Sequence, residues 1–110
     1  MLKIITDKTQ GKKYIESVKK AFDVYKLSEK MKVPETNNSK RILEVIKCIS
    51  ESKEGYNEDL KRRIVKEHLL GDKSVEEIAD DMGYSETHIY NTRTGILKDF
   101  ATLLYEVIIL

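Results

Sequence analysis

The stretch SVEEIADDMGYSETHIYNTRTG, residues Ser74 to Gly95, limits what this chain can fold into more than any other. Ser74 with Glu77 three residues later is a capping box, in which hydroxyl and carboxylate satisfy the free amides of a helix start. Ile78, Ala79 and Met82 then face inward at helical spacing, with Ala79 small where two helices cross closely. Gly83 follows where the chain must leave the helix and a positive φ is easiest for glycine. Tyr84 is a turn residue that can fill the core, and Ser85 caps again. From Glu86 the apolar positions Ile89, Ile96, Leu97, Phe100, Leu103 and Leu104 hold helical spacing for about five turns. Two capped helices across a glycine turn are the grammar of a helix-turn-helix.

The rest of the chain reads as helical too. From Lys8 to Lys32, residues Tyr14, Val18, Ala21, Phe22, Tyr25 and Leu27 fall mostly three or four apart. That predicts a long amphipathic helix with Lys12, Lys13, Lys19, Lys20 and Lys26 on its wet face. VPETNNS, Val33 to Ser39, is linker-like. A second helix over 40–53 buries Ile42, Val45, Ile46 and Ile49, is closed by Gly55, and carries the lone Cys48 on its flank as a small, partly buried apolar group. A third helix starts at the N-cap Asn57, buries Leu60, Ile64, Val65 and Leu69, and ends before Gly71. Lys61, Arg62, Arg63 and Lys66 form a basic cluster along it. The expectation is one all-α domain over 1–110 with about five helices: a basic amino-terminal region over 1–34 and a core over 40–110 that contains the helix-turn-helix at 74–95.

Composition agrees, with apolar residues at 40%, charged residues at 35%, one Pro and five Gly, a balance that favours long helices over a turn-rich strand fold. One cysteine cannot make an intramolecular disulfide, and MLKIITDKTQGKK has too short an apolar run for a signal peptide, so a cytoplasmic, soluble chain is expected. No run approaches the roughly 20 apolar residues of a membrane span. His68 and His88 have no Cys or carboxylate at metal-ligand spacing, and no phosphate loop or nucleophile elbow occurs. No enzyme, cofactor or metal is expected. Net charge is +1 but uneven: +5 over 1–34, +1 over 35–70 and −5 over 71–110.

The register of capping Ser74, EEIA, the turn ending at Ser85, Ile89 and the pair Ile96 and Leu97 resembles the helix-turn-helix in the fourth region of bacterial sigma factors. YNTRTGILKDFATLLY further resembles the end of ArpU-like phage late-gene transcriptional regulators. The resemblance spans roughly 41–105 and implies sequence-specific binding of double-stranded DNA and regulation of transcription, with a recognition helix over 86–98 in the major groove. Carried over, Glu86, Thr87, His88, Tyr90 and Asn91 read bases. Arg93, Thr94 and Lys98, with Arg62 and Arg63 from the third helix, hold phosphates.

This chain departs from the family in charge, because its recognition helix offers only Arg93 and Lys98 as cations, and a lone Arg or Asn that specifies a base does not replace the phosphate term. Two arrangements would supply the missing charge: basic residues of the first and third helices flanking the recognition helix, or a homodimer doubling the contacts. The terminal LLYEVIIL must be buried, either against a second copy through the fifth helix or intramolecularly against LKII at the amino terminus. Two other readings follow from the acidic half: a protein-interaction module that contacts RNA polymerase or another regulator, and a structural dimerisation domain.

Overall fold

A computed structural model describes residues 2–34, 37–51 and 57–110. Over these the chain is all-α, with five helices and one two-stranded sheet that the sequence reading did not anticipate. Strand β1, Lys3–Ile5, leads into α1, Lys8–Met31, whose N-cap Asp7 accepts from the backbone N–H of Thr9 and Gln10. Helix α2 covers Asn37–Glu51, so its closure at Gly55 lies outside the described residues. Helix α3, Glu58–Arg63, starts at the expected cap Asn57 and runs on into a π-helical turn, Ile64–Leu69. Helices α4, Val75–Met82, and α5, Glu86–Tyr105, form the helix pair, and β2, Val107–Ile109, follows directly.

The helix pair is capped as its sequence requires. Ser74 and Glu77 form the reciprocal capping box, Ser85 accepts from the backbone N–H of His88, and Gly83 ends α4 at φ 72°. One buried cluster draws on every element, with Ile5, Val18, Phe22, Ile46, Leu60, Ile64, Ile78, Ile89, Ile96, Phe100 and Val107 among its members. Phe22 of α1 meets Phe100 of α5 edge-on at 4.7 Å between ring centroids, an arrangement worth about 0.5–1.5 kcal/mol beyond its buried area. Arg41 of α2 donates to the carbonyl of Leu103, and the Tyr105 hydroxyl donates to the carbonyl of Ser17. Helices α1 and α2 therefore grip the second half of α5 and leave its first turns uncovered.

Three expectations need correction. Lys61 is buried rather than part of an exposed basic cluster. Leu27 and Leu103 point outward, because their helices bury narrower stripes than the apolar spacing suggests. Cys48 is exposed. Of the two alternatives for the apolar carboxy-terminal end, the intramolecular one is seen: β1 and β2 pair in parallel, with Lys3, Ile4 and Ile5 opposite Val107, Ile108 and Ile109, so LKII of the same chain meets it. Gly11 makes room for that pairing. A Cβ there would lie 3.1 Å from Cγ2 of Ile109, so the bare backbone of α1 lets the sheet settle onto the helix.

Candidate nucleic-acid interface

The uncovered first turns of α5 carry two adjacent rows of side chains. Thr87, Asn91, Thr94 and Lys98 follow one another at four, three and four residues, and Glu86, Tyr90 and Arg93 form the row beside them. Glu86, Thr87, Tyr90, Asn91 and Thr94 are exposed, Arg93 and Lys98 are half-buried, and the second row ends at buried Leu97. The opposite side of this segment, Ile89 and Ile96, is fully buried, so the strip is fixed to the core rather than free to roll. Thr94 donates its hydroxyl to the Tyr90 carbonyl at 3.0 Å, which leaves that oxygen to serve outward as an acceptor.

His88, placed by the resemblance among the base readers, lies off this strip. Its ring meets that of Tyr84 at 4.8 Å, and the Tyr84 hydroxyl accepts from Nδ2 of Asn57 at 3.1 Å. These contacts tie the turn and the start of α5 to the N-terminus of α3. Arg93 carries a further peculiarity, since its Nε is shut off from solvent without a hydrogen-bond partner among the described residues. A buried donor left unpaired costs free energy.

Arg62 and Arg63 stand near the turn. With Asp59, Asp81 and Met82 they line a cleft between α3 and the end of α4, and only Gly83, Tyr84 and Ser85 separate Met82 from Glu86. Both are paired in the free protein, Arg62 with Asp59 and Arg63 with Glu67, each at 3.0 Å. Glu67 also takes Lys73 at 3.0 Å, and Lys73 reaches Asp81 at 2.6 Å. The chain of charges Arg63, Glu67, Lys73, Asp81 braces the π-helical turn against α4. The hydrogen bonds that the Lys73 ammonium donates to Asp81 and Glu67 push its pKa up, and the same ammonium holds Asp81 below the usual carboxylate range. An exposed pair like that of Arg62 contributes little, so Arg62 can exchange Asp59 for another anion at small cost, whereas Arg63 is held in the network.

The sequence reading had no signal for the two links made by Lys73, which join across the loop before α4, whereas Arg63 and Glu67 stand at i,i+4 spacing. It also missed two further features. Glu76 of α4 lies against Glu86, and its carboxyl is held low first by its own backbone N–H, then by the Ser74 hydroxyl, with smaller help from Glu86 and the charge of His68. His68 is itself oriented by donating Nδ1–H to the Lys73 carbonyl at 2.8 Å. From α1, Lys26 and Lys30 flank the loop before α4, lining a cleft with Tyr25, Glu29, Leu70 and Asp72. Among the described residues no three His, Cys, Asp or Glu gather as metal ligands, and no helix is long and apolar enough to cross a membrane.

No protein family, no curated protein and no solved structure matched this chain.

Proposed function

We propose that the chain is a sequence-specific DNA-binding transcriptional regulator of phage or mobile-element type that lays the first turns of α5, residues 86–98, in the major groove. The carrying observation is the strip of Thr87, Tyr90, Asn91 and Thr94 on a helix whose other face is locked in the core. Such a strip presents amide and hydroxyl groups to base edges, with Asn91 the natural bidentate partner of adenine. Arg93, Lys98, Arg62 and Arg63 hold the flanking phosphates, and Lys26 and Lys30 add charge beside the loop that precedes α4. His88 supports the turn instead of reading bases.

The test is selection from a random duplex pool followed by titration of the enriched site. Asn91→Ala relaxes the preference at one base pair, a loss of about 1–3 kcal/mol of discrimination. Arg62→Ala with Arg63→Ala weakens binding to every sequence and lowers the salt slope by about two. Equal binding by the wild type and an Asn91→Ala, Arg93→Ala double variant overturns the assignment of this helix.

One observation favours a second reading. Glu76, Glu77, Asp80 and Glu86 are all exposed around the start of the helix pair, an acidic surface suited to a basic protein partner such as a polymerase subunit. Retention by RNA polymerase after nuclease treatment, lost on charge reversal of Glu77 and Asp80, would select that reading.

A further inference from the structure

The two-stranded sheet has one covered face and one bare face. Paired residues of a parallel ladder share a face, so Ile5 and Ile109 lie together on the inner side, with Val107 fully buried there. Ile4 and Ile108 form the central pair of the outer face, with Leu2 and Leu110 continuing it along the two strands. Their exposures are 52% for Leu2, 62% for Ile4, 36% for Ile108 and 76% for Leu110. Four large aliphatic residues on one flat surface leave roughly 400 Å² in water, as much as the largest patch that a monomer of ordinary design displays.

We propose that a second copy of this chain covers this face, the two sheets packing against each other about a two-fold axis. A symmetric contact must be complementary to itself, and an apolar surface whose outward strand positions, Ile4 and Ile108, are uncharged, with Glu106 only at one end, meets that condition. Pairing through strand edges would leave the same side chains wet, so the packing is face to face, at the roughly 10 Å separation of stacked sheets. The area sets the size class of the interface. Two copies bury roughly 800 Å² from these side chains, and the rim at Thr6 and Glu106 brings the contact towards the roughly 1,000 Å² at which specific interfaces begin. The dimer is therefore weak and depends on concentration. A second exposed apolar row, Val24, Leu27 and Met31 on α1, shares its outer face with Lys13 and Lys20 and is the rival interface. The inference does not rest on DNA binding.

Sedimentation equilibrium of the full chain from about 10 to about 500 µM reads the association directly. The wild type passes from monomer towards twice the monomer mass across this range. Ile4→Lys and Leu110→Lys each weaken the association at least about tenfold with unchanged far-ultraviolet circular dichroism, while Val24→Lys behaves as the wild type. Should Ile4→Lys fail to fold, Leu110→Lys, beyond the last strand pair, gives the same reading. A wild type that stays monomeric at the highest concentration overturns the proposal. So does association undiminished in the sheet variants, or its loss in Val24→Lys.

Discussion

Replacing Gly83 by Ala separates the cost of a backbone conformation from the cost of a collision. Gly83 ends α4 in the left-handed region, at φ 72° and ψ 25°, and a Cβ built there meets nothing within 4 Å. Left-handed backbone costs a residue with a Cβ roughly 1–2 kcal/mol, and the stiffer unfolded chain of the Ala variant returns about 0.4–1 kcal/mol. The net loss is about 1 kcal/mol, or a fall in Tm of about 4 °C for a chain of this length. Gly71 presents the opposite case. Its φ is ordinary, but a Cβ there lies 2.6 Å from the Glu67 carbonyl oxygen, a backbone atom of the π-helical turn that cannot swing aside. Gly71→Ala should then cost about 2–3 kcal/mol, the upper part of the overpacking range. Urea titration of Gly83→Asn, Gly83→Ala and Gly71→Ala should rank the losses in that order, because Asn tolerates the left-handed region better than Ala. Equal losses for the two Ala variants, or a neutral Gly71→Ala, would refute the reasoning.

The ion pair of Lys73 and Asp81 predicts a pH dependence whose sign follows from the two shifts. Asp81 is lowered from 3.8, so its stabilisation is present above that value and disappears as pH falls through the lower folded one. The acid limb of stability below about pH 4 should be shallower in Asp81→Asn, and superimposable acid limbs would count against the pair. Lys73 is raised from 10.5, so its stabilisation is present below that value and disappears as pH rises through the higher folded one, and Lys73→Met should flatten the alkaline limb. In the core, Phe100→Ala removes the edge-on partner of Phe22 and should cost about 3–5 kcal/mol by urea titration, whereas a loss under about 1 kcal/mol would mean that α1 does not pack on α5 as described.

The helix pair was legible residue by residue. Ser74, Glu77, Gly83 and Ser85 act through hydrogen bonds and backbone angles within a few positions of themselves, so local order in the chain suffices to place them. Ile78, Ile89, Ile96 and Phe100 were legible as core for the same reason, since 3.6-residue periodicity is written along one element. The strip of Thr87, Tyr90, Asn91 and Thr94 is what that periodicity leaves over.

Other features had no local signature. KII and VII are too short to show strand alternation, and they are joined across a hundred residues, so only the packing of α1 against α5 brings them side by side. The π-helical turn was read as ordinary helix because Ile64, Val65 and Leu69 satisfy both geometries until the position of Glu67 against Gly71 is known. Charge followed the same division. The sequence by itself determined how many cations and carboxylates each segment carries, together with the caps and inward stripes of its helices. Helical spacing already pairs Arg62 with Asp59 and Arg63 with Glu67, but tertiary structure alone decided that Lys73 joins Glu67 to Asp81 of α4, because Coulombic attraction acts through space rather than along the chain.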